Sequence, residues 1–270
     1  MDINNKRLKI SVVTVCYNAV GIIEDTIQSV INQTYPELEY IIIDGGSTDG
    51  TVDIIKRYSS KLTYWVSEPD KGIYDAMNKG IKAASGVYIN FMNAGDRFYD
   101  NEVLKKFASQ ADENCKIIFG DWVIKLDNLF EYRKPLSIKY LDTKLMFTHQ
   151  AVFVSLSYHK MNLFDTRYKL AADYNLVYNA VKRDNAKLQY LPFPIAIYDV
   201  SPGNTTNDNG CKLLREKFSI WGIENNYLKK SYWYGMFFRT WLSKKIRDRL
   251  PAGMVLKIKN YLDKKRDHIS

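Results

Sequence analysis

The sequence predicts an α/β fold, a mostly parallel sheet with helices on both faces, followed by a basic amphipathic helical segment at the C-terminus. Three observations carry that reading. Short β-branched runs alternate with helix-period apolar patterns through residues 1–100. A polar cluster follows each run, and the whole positive excess of the chain lies in residues 228–270.

Ile10 to Val15 is the first β-branched run, and Ala19 to Asn32 then places Ile22, Ile23, Ile27, Val30 and Ile31 on one helical face. Leu38 to Ile43 reads as a second strand, after which Ser47-Thr48-Asp49 offers an N-cap for a helix through Tyr58. Leu62 to Val66 is a third strand, Ile73 to Ala84 a helix ended by Ser85-Gly86, and Val87 to Met92 a fourth strand. A β-α-β-α-β-α-β order of this kind builds a parallel sheet with helices on both faces. Further on, Lys116 to Ile124 and Ala151 to Val154 read as strands and Ala171 to Val181 as a helix. Leu188 to Val200 holds strand-like pieces broken by Pro192 and Pro194. From about Asp208 the pattern is helical, interrupted at Pro251-Ala252-Gly253. The expected organisation is a domain of residues 1–227, with halves 1–100 and 101–227, and a segment 228–270.

The chain has 270 residues, 46% hydrophobic and 14% aromatic, which suffices for a core and excludes a disordered or fibrous class. Cys16, Cys115 and Cys211 are widely spaced with no CxxC or CxH partner, so neither a zinc site nor a disulfide framework is expected, and a reducing compartment is. Met1 to Lys9 is polar and runs straight into the first strand, so no secretory leader is expected. No run of about 18 apolar residues occurs, which excludes an ordinary spanning helix.

The net charge of +9 is confined to one end of the chain. Residues 228–270 hold 12 Lys/Arg against 3 Asp/Glu, so residues 1–227 are neutral. That argues against a nucleic-acid groove across the fold and for electrostatic attachment at one end. Ser231 to Leu250 sets Trp233, Phe237 and Trp241 on one helical face with Lys244, Lys245, Arg247 and Arg249 toward its end, the character of a helix lying on an anionic membrane surface. The same stripe is also what a helix packed on a core presents.

In parallel sheets ligands bind beyond the carboxyl ends of the strands. There this chain places Tyr17-Asn18, Asp44-Gly45-Gly46-Ser47, Ser67-Glu68-Pro69-Asp70 and Asn93-Ala94-Gly95-Asp96, four loops aimed at one rim. Asp44 can accept from a ribose hydroxyl or a base N–H, or it can cap the following helix. Asp96 suits a divalent cation bridging two phosphates, since such an ion takes only one or two protein carboxylates, or it closes an ordinary turn. Asp173 stands near the start of an apolar helix, where it favours the dipole or serves as general base toward an attacking hydroxyl. His149 is either a structural group or a contact to donor phosphate or metal.

The pieces Thr14-Val15-Cys16-Tyr17-Asn18, Asp44-Gly45-Gly46-Ser47-Thr48-Asp49-Gly50-Thr51 and Ser67-Glu68-Pro69-Asp70-Lys71-Gly72-Ile73-Tyr74-Asp75-Ala76-Met77-Asn78-Lys79-Gly80 closely resemble the family 2 glycosyltransferases of bacterial polysaccharide assembly. The last piece is similar to a branch with colanic-acid and O-antigen enzymes, and His149-Gln150-Ala151 is similar to a later motif of that branch. The resemblance implies a GT-A fold, a nucleotide-sugar-binding half over 1–100 and an acceptor-binding half over 101–227. It implies that Thr14, Tyr17, Asn18 and Asp44 shape the nucleoside pocket, and that Asp75 and Lys79 face the donor. On the same reading Gly45, Ser47, Asp70, Lys71, Gly72, Asn93, Ala94, Gly95 and His149 are expected in the donor site, Asp96 is expected to hold the metal and Asp173 to be the base. The implied reaction is an inverting transfer of a hexose or N-acetylhexosamine from a nucleoside-diphosphate sugar, UDP favoured, to a lipid-linked saccharide. It would take place on the cytoplasmic face of the cell membrane with Mn2+ or Mg2+. One departure stands out: the family's Asp-x-Asp metal signature is here Asn93-Ala94-Gly95-Asp96, with one carboxylate. A non-catalytic sugar-nucleotide binder is therefore carried as the alternative, with a basic nucleic-acid-binding module behind it.

Overall fold

The structure, a computed structural model, describes residues 8–126, 128–142, 146–199 and 210–222, with Tyr234, Gly235, Phe238 and Met254 besides. The expected amphipathic helices over 231–250 and beyond 253 thus lie outside the described residues, those four positions apart. The chain divides into two compact units, Met1–Ser201 and Pro202–Ser270. The division falls before the expected boundary at 227 and assigns helix α7 (Gly210–Ile220) to the second unit.

The first unit opens in the expected order with β1 (Ile10–Cys16), α1 (Ile23–Ile31), β2 (Leu38–Asp44), α2 (Thr51–Arg57), β3 (Tyr64–Ser67), α3 (Ile73–Ala83) and β4 (Tyr88–Phe91), although α1 begins after Ala19 and leaves Ile22 outside it and exposed. Short β5 (Arg97–Phe98) and α4 (Val103–Gln110) lead to β6 (Ile117–Leu126), which turns into β7 (Leu129–Arg133). A single 3-10 turn over His149–Ala151 precedes β8 (Val152–Ser155), α5 (Leu156–Met161), α6 (Ala172–Lys182) and β9 (Leu188–Asp199). Among the described residues one sheet runs in the order β3-β2-β1-β4-β8-β6-β9-β5, with β7 on β6. The first four strands are parallel. The strands of the second half add antiparallel pairs, and only β6 and β9 run parallel there.

Alternation along β1 explains the layering. Ile10 and Val12 join Ile23, Ile27 and Val30 of α1 and Val103, Leu104 and Phe107 of α4 in one core cluster. Val13 points the other way and meets α3 so closely that a Cβ on Gly80 would stand 2.5 Å from Val13 Cγ1. Helices therefore cover both faces. Glu39, buried in β2, ties the sheet to the end of α3: it accepts from Lys9, Ser11 and Ser85. Burial opposes its charge, and those donors outweigh burial and hold its carboxyl down at about 2.

Two local expectations are corrected. Leu188 to Asp199 is one strand, although it holds Pro192 and Pro194. Its register to β6 shifts on both sides of Asp121, from Gly120–Leu191 to Asp121–Pro194 to Trp122–Ala196, so the prolines' missing N–H groups fall where the ladder is already interrupted. The helix expected after Ser47-Thr48-Asp49 starts only at Thr51, because Gly50 at φ 101° turns the chain first.

Candidate active site

The loops after β1, β2 and β3 are bound into one structure. Asn18, itself at φ 47°, donates its backbone N–H to Ser47 Oγ at 2.7 Å and accepts from Thr48 N at 3.0 Å. Asp49 reaches back to Val20 N at 3.0 Å. Asp44 lies at their centre, wholly buried. One of its oxygens accepts from the backbone N–H groups of Gly46 and Ser47 and from Ser67 Oγ, and the other from Ser47 Oγ and the Cys16 thiol. Burial alone would raise this carboxyl; the Ser47 and Ser67 donors reverse that and leave it below the ordinary carboxylate value. Asp44 thus holds the loop together and does not cap α2, whose N-cap is Gly50.

Tyr17 is 65% exposed over this cradle. A Cβ on Gly45 would crowd Asp70 Oδ2 and lie 3.4 Å from Tyr17 Cδ2, so Tyr17, Gly45 and Asp70 converge and a side chain at Gly45 would displace the Asp70 carboxylate. The other expected residues take supporting places. Asp70 accepts from Gly72 N at 2.7 Å and Asp75 from Lys71 N at 2.9 Å, which shapes the entry to α3 around Gly72 at φ 114°. Lys79 spends its ammonium on Glu68, at 2.8 Å, and on the Pro69 carbonyl, at 3.0 Å. Thr14 is fully buried, with its hydroxyl shared between Tyr40 OH and the Met92 carbonyl. It underpins the cradle and offers a ligand nothing.

A second cluster lies between the loop after β4 and α6. Ala94 N is held by the Val15 carbonyl at 3.2 Å, and Thr26 of α1 braces Gly95 N at 3.0 Å and the Asp96 carbonyl at 2.7 Å. Gly95 sits at φ 97°, which a side chain would strain. Asp96 is buried, and its carboxylate accepts from Gln150 Nε2 at 2.7 Å. Burial drives this carboxyl up to about 7; the Gln150 amide opposes the rise and the nearby charge of Asp199 adds to it. Asn93 Nδ2 lies 2.9 Å from His149 Nε2, and His149 Nδ1 faces Asp173 Oδ2 at 3.9 Å. Packing around the imidazole lowers its pKa, against the opposite pull of Asp173. Asp173 Oδ1 accepts from Tyr74 OH at 3.0 Å and from Tyr174 N at 2.8 Å in the first turn of α6. Asn93, Asp96, His149 and Asp173, drawn from distant parts of the sequence, are thereby brought together.

Three participants escaped the sequence reading. Gln150 stood in the quoted His149-Gln150-Ala151 motif, and its pairing to Asp96 is the signal that motif held. Tyr74 lay inside the Asp70-to-Gly80 piece. Thr26 is one polar position on an otherwise apolar helix face, and nothing in the sequence marks it.

Residues 11–179 match the family described as glycosyl transferase family 2. The chain belongs to glycosyltransferase family 2. An uncharacterized glycosyltransferase of Mycobacterium tuberculosis is 33% identical over 178 residues, 63% of this chain and 68% of that protein. A Bacillus subtilis glycosyltransferase assigned to teichuronic acid biosynthesis is 34% identical over 118 residues, 43% of this chain and 47% of that protein. The Staphylococcus aureus TarS 1–349 structure in complex with UDP-GlcNAc aligns with a TM-score of 0.64 at 20% identity, covering 88% of this chain and 72% of TarS 1–349. The mannosyltransferase PcManGT of Pyrobaculum calidifontis, in complex with GDP-Man and Mn2+, aligns with a TM-score of 0.63 at 17% identity, covering 96% and 81%. These structural likenesses establish the fold of this family 2 member as the GT-A type expected. No helix among the described residues is long and apolar enough to cross a membrane.

Proposed function

We propose that this family 2 member is an inverting, metal-assisted glycosyltransferase. It moves a hexose or N-acetylhexosamine from a UDP-sugar to a hydroxyl of a lipid-linked saccharide during bacterial surface polysaccharide synthesis. The observation that carries the reading is the convergence of Asp96, His149 and Asp173 beside the cradle of Tyr17, Gly45 and Asp70. UDP-GlcNAc in TarS and the teichuronic acid assignment of the Bacillus relative support donor and pathway class.

Tyr17 and the Asn18–Ser47 loop receive the nucleoside, with Asp44 fixing the loop from below. Asp173 takes the proton of the attacking hydroxyl through Oδ2, since Oδ1 is already committed to Tyr74 and Tyr174. Displacement at the anomeric carbon then forms the new glycosidic bond as the bond to the diphosphate breaks, inverting the configuration. Asp96 fits a divalent cation. Its carboxylate is buried among few donors and beside a second carboxylate, so its ionised form lacks the positive partner a cation provides. Among the described residues no group of three metal-binding side chains forms, and a cation held by Asp96 would take its remaining ligands from the diphosphate and water. A bound Mn2+ or Mg2+ supplies charge compensation for the leaving UDP.

The deciding assay incubates a panel of nucleotide sugars with a lipid-linked acceptor and scores nucleoside-diphosphate release with and without Mn2+ or Mg2+. Acceptor- and metal-dependent release supports transfer; nucleotide binding without release under any combination favours the non-catalytic binder.

A further inference from the structure

Beside this site the second half of the sheet exposes aromatic rings. Tyr99, Phe130, Tyr132 and Tyr190 are 44%, 57%, 48% and 41% exposed. On the β6–β7 ladder Val123 stands opposite Tyr132 and Lys125 opposite Phe130, so both rings share one sheet face with Lys125. Lys125 pairs at 3.1 Å with Asp199, whose charge acts on Asp96. At the other border Phe119 stacks on Tyr190, with 5.9 Å between ring centroids, and packs at 4.6 Å on Phe147, two residues before His149. The patch is thus continuous with the site at two places.

Asp121 lies beneath it, 1% exposed. Its two oxygens accept from Tyr132 OH and from Tyr190 OH, the latter at 2.7 Å. Burying a carboxylate is costly unless its hydrogen bonds are made, and here they are made by two side chains that gain little burial themselves. The result is a pair of rings fixed in place, with hydroxyls turned to the protein and ring surface left to solvent. A pyranose has a matching surface: a C–H face that stacks on an aromatic ring, and edge hydroxyls that seek charged partners such as Lys125 and Asp199. A lipid chain or an apolar protein surface would leave that ion pair facing nothing.

We propose that Tyr132 and Tyr190, fixed by Asp121 and flanked by Phe130 and Tyr99, form a saccharide-stacking subsite that holds a sugar ring of the acceptor next to the reactive hydroxyl. The inference rests on the transferase reading above. Its test is ligand-observed saturation-transfer NMR on the full chain, with methyl glycosides and β-linked disaccharides of glucose, galactose and N-acetylglucosamine as probes. Calorimetric titration with UDP runs in parallel. The wild type transfers saturation to the C–H protons of at least one probe; Tyr132→Ala and Tyr190→Ala weaken that probe's affinity by about tenfold, while Tyr132→Phe, which keeps the ring and loses only its bond to Asp121, stays closer to wild type than Tyr132→Ala. UDP affinity stays unchanged in all three variants, which also shows that they are folded. Wild type that saturates no probe, or alanine variants equal to wild type, overturns the subsite. A wild type that fails to bind UDP counts against the donor reading alone.

Discussion

Asp44 and Asp96 are both buried carboxylates just past strand ends, and their surroundings give them opposite roles. Asp44 is surrounded by backbone and hydroxyl donors and stays ionised without help. Among the described residues Asp96 has only the Gln150 amide and the Asp199 backbone N–H as donors, with the like charge of Asp199 nearby, the setting in which a cation is wanted. Asp96→Ala should therefore lower turnover on the order of 10²-fold or more, with Asn93→Ala milder, as measured by nucleotide release; full activity of Asp96→Ala would remove the metal assignment. His159 carries a prediction about stability instead. It is fully buried against Phe91 and Phe164, its Nδ1 lies 3.1 Å from the Asn162 carbonyl, and its Nε2 has no hydrogen-bond partner among the described residues. Desolvation drops its pKa to about 4 from 6.5, so the folded chain keeps it neutral where the unfolded chain takes up a proton. Its contribution is intact above 6.5 and is lost as pH falls toward 4, about 3 kcal/mol in all. Urea unfolding of wild type and His159→Leu across that window should show a shallower pH slope in the variant; equal slopes would refute the assignment.

Among the elements α3 links the two halves of the site. Its entry turn is shaped by Asp70, Gly72 and Asp75, its first turn sends Tyr74 to Asp173, and its middle presses Gly80 against Val13. Gly80→Val should cost about 1–3 kcal/mol, read as a lower urea midpoint, because the new side chain has no room above Val13; an unchanged midpoint would contradict the close approach. Much of this was legible in the sequence. The four parallel strands follow from β-branched runs and turn residues, and the loops that form the site sit in those turns. What escaped depends on contacts across the chain. Pro192 and Pro194 break a strand by local rules, and only pairing to β6 shows that a bulge absorbs them. Thr14 was grouped with the pocket through its motif, and its burial becomes plain only once Tyr40 and Met92 are seen around it. Gln150 gains its meaning from Asp96, 54 positions away in the chain.

At the scale of the whole molecule the chain has a neutral body and a strongly basic end, residues 228–270 holding the entire net charge of +9. Each Lys or Arg near an anionic surface contributes about 1 kcal/mol, and we propose that this end draws the chain to an anionic membrane. Truncation after Tyr227 should abolish cosedimentation with vesicles containing anionic lipid and leave UDP binding intact; equal sedimentation of both forms would contradict a membrane role. We propose more narrowly that a site built from both halves of the first unit carries out transfer, with Asp173 as the base. It is tested most directly by comparing wild type and Asp173→Asn in two measurements, calorimetric UDP affinity and acceptor-dependent nucleotide release. UDP affinity should stay unchanged while transfer falls about 10²–10⁴-fold, since the amide keeps the shape and cannot take the proton. Normal transfer by Asp173→Asn, or a loss of UDP affinity that accounts for the loss of transfer, would contradict it.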